Sequence, residues 1–191
     1  MIKFAKCLYV ALAALAAACS SPPVGCVVDP PRDIGGPLRL LDERGAPATE
    51  RDFGGRPALV YFGFTYCPDV CPLAMQYAKA TLEAAGRLGA RVQPILISLD
   101  PERDTPQAMA RYISNEAFPA GLRGLTGAPA DTAAAAKAFK VGWRKSGDGP
   151  DYTIDHTSFF YVLGPDWEIL ALYPSDLDPA SAAQCLQLAL K

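Results

Sequence analysis

The strongest constraint on the fold is an apolar run, Ala58-Leu-Val-Tyr-Phe-Gly-Phe64, that breaks directly into Cys67-Pro-Asp-Val-Cys71-Pro72. A near-continuous apolar stretch of strand length is what a strand buried on both faces requires. Pro72 suits the first turn of a helix, and the spacing predicts a helix from there to about Leu88, with Gly89 as its stop. The two cysteines therefore fall on a strand-to-helix turn. A second apolar run, Val92 to Ser98, has the same strand character, although Pro94 near its start is unusual there.

The same alternation continues along the chain. Leu38 to Leu41 reads as a short strand. Thr105-Pro106 opens a helix with a capping hydroxyl and a proline at the first helical position. Asp131 to Lys140 is an alanine-rich helix, and Lys145 to Asp151 is a polar loop. Thr157 to Leu163 and Glu168 to Tyr173 read as strands joined by a Gly164-Pro165-Asp166 turn. A last helix follows Asp178-Pro179, with Ala182, Cys185, Leu186, Ala189 and Leu190 on one face. Strand–helix alternation ending in a hairpin and a helix implies an α/β fold with a mixed central sheet flanked by helices.

The N-terminus has a different character. Lys3 and Lys6 precede an apolar run, Cys7 to Ala18, that is short for a membrane span and fits a secretory signal. Cys19 follows three alanines and precedes a Ser/Pro/Gly-rich stretch. This resembles a bacterial lipoprotein signal, with Cys19 as the acylated N-terminus. The expected organisation is a signal peptide over 1–18, a tether over 19–37 behind the lipidated cysteine, and one domain over 38–191. Such a chain works on the extracytoplasmic side of a bacterial membrane, in the cell envelope, where disulfides persist. Across 191 residues, 18 basic and 20 acidic side chains leave a net charge of −2. No cationic excess exists to neutralise phosphates, so nucleic acid is not an expected partner.

Six cysteines and one histidine carry the chemistry. A helix start favours the thiolate, which is both a nucleophile and a soft metal ligand. Cys67 and Cys71 can thus serve as a redox-active disulfide, a metal pair or a structural bridge. His156 is the only imidazole, placed after Asp155 and before a buried strand. Two thiolates and an imidazole suit Cu(I) or zinc better than magnesium or calcium. Three ligands are too few for a closed structural zinc site. Asp155, or Asp100 at the end of the neighbouring strand, is the expected carboxylate behind the histidine. Cys26 and Cys185 remain, as either a second disulfide or a mobile cysteine and a buried free one.

Three segments in order make a resemblance: Tyr61-Phe-Gly-Phe-Thr-Tyr-Cys67-Pro-Asp-Val-Cys71-Pro72, Ile97-Ser-Leu-Asp100-Pro-Glu-Arg-Asp-Thr-Pro106 and Asp151-Tyr-Thr-Ile-Asp155-His156. Leu125-Thr-Gly127 adds a weaker fourth. Together they resemble the Sco/SenC family of copper-handling proteins with a thioredoxin-like fold. The resemblance implies that Cys67, Cys71 and His156 bind copper, and that the client is the dinuclear copper centre of cytochrome c oxidase in its copper-bearing subunit. Copper donor proteins or thiol reductants are the implied further partners. Two departures stand out: Trp167 occupies a turn position where the family more often has glycine, and a lipid anchor replaces the transmembrane helix of many relatives. A metallochaperone is thus expected first. A thiol–disulfide reductase of client cysteines comes second, and a peroxiredoxin-like peroxidase, which has no use for His156, third.

Overall fold

The computed structural model describes residues 21–191; the expected signal segment over 1–18 and Cys19 lie outside the described residues. In chain order the strands are β1 (Val27–Val28), β2 (Leu40–Asp42), β3 (Pro47–Ala48), β4 (Ala58–Gly63), β5 (Gln93–Ser98), β6 (Arg123–Thr126), β7 (Trp143–Ser146), β8 (Thr153–His156), β9 (Phe159–Leu163) and β10 (Ile169–Pro174). The helices are α1 (Val70–Ala84), α2 (Pro106–Ile113), α3 (Pro129–Ala138) and α4 (Pro179–Ala189). Eight strands form one sheet in the order β1-β10-β9-β4-β5-β6-β2-β3, and β7 with β8 form a separate hairpin.

β4, β5 and β6 run parallel at the centre, while β9, β10 and β1 continue antiparallel on one side. Every residue of β4 and β5 is buried, as their apolar runs require. Phe62 packs on Phe139 after α3, with ring centroids 5.1 Å apart, and α1 packs beside α4. The sheet is mixed and flanked by four helices, as the strand–helix alternation predicted. Pro94 is tolerated inside β5 because the ladder to β6 begins one residue later, at Ile95. The Gln93 amide donates instead to the Gly121 carbonyl (2.6 Å).

Three local readings change, and Trp167 gains an explanation. α1 stops at Ala84 rather than near Leu88, because Gly86 takes the left-handed conformation (φ +60°) that ends the helix. The loop expected over 145–151 is shorter: Lys145 and Ser146 pair with Ile154 and Thr153, so the histidine sits on a hairpin of its own. Trp167 adopts φ +66°, the backbone that explains glycine at this turn. Its ring stacks on Phe53 and its indole N–H donates to the Gly36 carbonyl (3.2 Å). The stretch read as a tether enters the sheet well before Leu38. Val27 and Val28 pair with β10, and Cys26 is bridged to the buried Cys185 of α4, with Cα atoms 5.9 Å apart.

Candidate metal and dithiol centre

β4 ends at Gly63 and the chain turns through Thr65 and Cys67 into α1. The turn is pinned from below by Asp104, a fully buried carboxylate. It accepts from the Thr65 hydroxyl (2.6 Å), the Thr65 N–H (3.2 Å) and the Ser98 hydroxyl (2.6 Å). Gly63 is needed for close approach: a Cβ there would lie 2.9 Å from the Cys71 sulfur.

Both site cysteines are reduced thiols in this structure, Cys67 half-buried and Cys71 buried. Cys71 is the second residue of α1, and its N–H donates to the Cys67 sulfur at 3.4 Å. The sulfur therefore caps the helix, a place that Asp69 occupies in sequence without a capping bond of its own. Hydrogen bonding to the Cys71 thiol is the main reason that the Cys67 pKa is pulled down to about 5. Burial opposes this, and the N–H groups of Cys71, Asp69 and Val70 reinforce it. Cys71 moves the other way, raised by its hydrogen bond to Cys67, by burial and by the charge of its neighbour. The pair is unequal: a half-buried Cys67 whose lowered pKa favours the thiolate at neutral pH, and a buried Cys71 that favours the thiol.

His156 arrives at the end of β8, 85 residues after Cys71, with Nε2 at 3.9 Å from the Cys71 sulfur. Its Nδ1 lies 3.0 Å from the Thr157 carbonyl oxygen, a contact only an N–H satisfies. In the neutral ring this leaves the Nε2 lone pair facing the thiol. The rings of Tyr61 and Phe64 meet the imidazole edge-on, with centroids at 6.0 and 6.2 Å. A separation of 3.9 Å suits two ligands of one soft ion, since bonds of about 2.3 Å to sulfur and about 2.0 Å to nitrogen span it at an open angle. Among the described residues no three His, Cys, Asp or Glu side chains are gathered at metal-binding distance.

Neither expected carboxylate makes a direct hydrogen bond to the ring or the thiols. Asp155 points to the other side of its strand and pairs with Arg144 (3.0 Å), as alternation along a strand dictates. Asp100 is buried and accepts from Tyr152 and Arg103. The imidazole is oriented by a backbone carbonyl instead.

Arg103, within the second resemblance segment, has a part that the sequence did not disclose. Its guanidinium lies between Tyr152 (3.6 Å to the ring centre) and Tyr66 (4.5 Å), and donates to the Pro150 carbonyl (3.2 Å). It joins the loop after β5, the residue before Cys67 and the histidine hairpin. Gly63 was detectable as a glycine in an otherwise bulky strand, and Asp104 as an acid directly before the Thr105-Pro106 helix start. A separate cavity of about 720 Å³ is lined by Arg56, Lys79, Glu83 and Val92, with neither thiol nor imidazole among its lining residues. A groove of about 340 Å³ is lined by Cys67, Asp155 and His156.

The fold and a dithiol facing an imidazole define a thioredoxin-like protein with a soft-metal or redox centre. Residues 28–191 match the SCO1/SenC family, and the chain belongs to it. Protein SenC of Rhodobacter capsulatus is 38% identical over 152 residues, covering 78% of this chain and 67% of that protein. The human mitochondrial SCO1 homolog is 37% identical over 141 residues, 72% of this chain but 46% of its own length. The chain thus spans about half the length of the mitochondrial relatives. Among solved structures, Bradyrhizobium japonicum ScoI with copper bound superposes with a TM-score of 0.72 at 38% identity, covering 82% of this chain and 99% of that one. Arabidopsis thaliana ScoI with copper bound gives 0.77 at 33% identity, over 82% and 97%.

Proposed function

We propose that the chain carries copper, held as Cu(I) by Cys67, Cys71 and His156, and delivers it to the copper-bearing subunit of cytochrome c oxidase for assembly of the dinuclear centre. It does so from the extracytoplasmic side of a bacterial membrane, anchored by a lipid on Cys19. The observation that carries this reading is the placement of His156 Nε2 3.9 Å from the Cys71 sulfur across 85 residues of sequence. A dithiol reductase has no need of that imidazole, whereas a soft ion with two thiolates gains a third donor. Loading releases the Cys71 proton, because only the thiolate ligates. A Cys67–Cys71 disulfide would block loading, since oxidation uses the electron pairs that bind the ion. Relatives whose structures hold copper, ScoI of Bradyrhizobium japonicum and of Arabidopsis thaliana, support the same ion.

The test is copper stoichiometry and affinity of the reduced protein, wild type against His156→Ala. One copper per chain is expected for wild type. The variant should weaken binding beyond the ~10–100-fold cost of losing a group that merely orients a ligand. Equal affinity in the two would remove this reading.

A second reading is favoured by the inequality of the thiols. A Cys67 thiolate attacks a client disulfide, one client sulfur leaves as thiolate, and Cys71 then resolves the mixed disulfide. Two electrons pass to the client and a Cys67–Cys71 disulfide remains. This activity would survive His156→Ala, so the same variant separates the two roles.

A further inference from the structure

The register of the sheet brings the N-terminal strap and the thiols to one end of the molecule. Pro174 lies opposite Phe159, just after Ser158, and Phe160 lies opposite Tyr61 near the end of β4. Val27 lies opposite Leu172, so the chain followed backward leaves β1 beside Pro174. A Cβ on Gly25 would indeed meet the Pro174 ring at 3.5 Å. The strap is held there by the Cys26–Cys185 bridge.

The same end collects the exposed apolar surface. Among the described residues the exposed large hydrophobics are Val24 and Val27 on the strap, Tyr66, Val70 and Leu73 around the cysteines, and Trp143 opposite His156. Two grooves of about 340 and 310 Å³ adjoin, sharing Asp69, Val70 and Ser158. Asp155 and Asp176 complete their acidic lining, and neither groove is lined by lysine or arginine. Asp155 is matched by Arg144; Asp69 and Asp176 have no ion-pair partner among the described residues.

We propose that this end is a docking face held toward the membrane, and that its partner is a protein anchored in the same membrane with a cationic, partly apolar surface. The proposal rests on the attachment at Cys19 put forward above. Seven peptide steps separate Cys19 from Cys26, at most ~25 Å of extended chain. The bridge keeps the strap from peeling off β10. Without it the reach grows to roughly 60 Å by residue 37 and the orientation is lost. Aspartates without cations are repelled by anionic headgroups, which favours a protein over the bilayer as the occupant. An apolar patch with a charged rim is the anatomy of a protein interface.

The chain's two tryptophans report the orientation, since Trp143 is beside His156 and Trp167 is in the turn at the opposite end of β9 and β10. The full chain is placed in phosphatidylcholine vesicles carrying dansyl-phosphatidylethanolamine. Energy transfer from Trp143, read in Trp167→Phe, should be severalfold larger than from Trp167, read in Trp143→Phe. Equal or reversed transfer, or a chain that does not stay with the vesicles, overturns the proposal. Quenching of Trp143 by acyl-brominated lipid would show the bilayer itself covering the face, and would also overturn it. Cys26→Ala/Cys185→Ala should level the two transfers; an asymmetry that survives removes the strap's role. In vesicles that also hold the copper-bearing oxidase subunit, Asp176→Lys should slow copper transfer severalfold with unchanged copper stoichiometry. An unchanged transfer rate rejects the docking face. If wild type binds no copper, the carrier reading fails, yet the tryptophan asymmetry still decides the orientation.

Discussion

Cutting the Cys26–Cys185 bridge should cost the fold a large part of its stability. The two cysteines are 159 residues apart, and closing a loop of that length restrains the unfolded chain by about 5 kcal/mol in the chain-entropy picture. That figure is an upper value. β1 makes only two rungs with β10, so without the bridge residues 21–28 fray in the folded state and regain some freedom there too. A loss of about 3–5 kcal/mol is expected, against a total of roughly 5–15 kcal/mol for a domain. At about 2–4 °C per kcal/mol for a chain of this size, the midpoint should fall by about 6–20 °C. The measurement is urea and thermal unfolding in a Cys67→Ser/Cys71→Ala background, where no site thiol confuses the redox state. Reduction of the bridge leaves Cys185 packed in the core, whereas Cys26→Ala/Cys185→Ala also removes its sulfur. Comparing the two separates the cross-link from the packing. The urea slope should rise as the unfolded chain expands. A loss no larger than the roughly 0.5 kcal/mol of an ordinary surface change, with unaltered amide exchange at Val27 and Val28, would refute this reasoning.

Three further outcomes follow from the site. Iodoacetamide should alkylate Cys67 and spare Cys71, with a rate that falls as pH drops through about 5, because the thiolate is lost as its lowered pKa is crossed; peptide mass mapping across pH 4–8 reads it. Asp155→Asn should leave copper affinity nearly unchanged, well short of the ~10–100-fold loss of a ligand-orienting group, since its carboxylate faces Arg144; competition against a Cu(I) chelator measures it. Arg103→Ala should loosen the β7–β8 hairpin by about 1–2 kcal/mol through loss of its stacking on Tyr152 and Tyr66, seen as faster amide exchange over 143–156, and Arg103→Lys should restore part of it.

The parts of this protein legible in its sequence are those that local physics decides. The apolar runs Ala58–Phe64 and Val92–Ser98 could be little other than buried strands, and both became central ones. Thr105-Pro106 and Asp178-Pro179 announced helix starts, and both side chains cap as expected. Cys67, Cys71 and His156 stood out by residue type and surroundings. What the sequence left open was every choice made by distant partners. Whether Cys26 meets Cys185 depends on β1 adding to the edge of β10, which no local pattern near Cys26 demands. The partner of His156 was expected to be Asp155 or Asp100, yet strand alternation turns Asp155 outward to Arg144, Asp100 is taken by Tyr152 and Arg103, and the ring Nδ1 lies against the Thr157 carbonyl. The hairpin over 143–156 escaped notice because its polar strands bury little and its Tyr152 is held by Arg103 and Asp100 from other elements. Residue type set the chemistry available; the sheet's register brought a thiol and an imidazole 85 residues apart to within 3.9 Å, because only tertiary packing fixes separations that long.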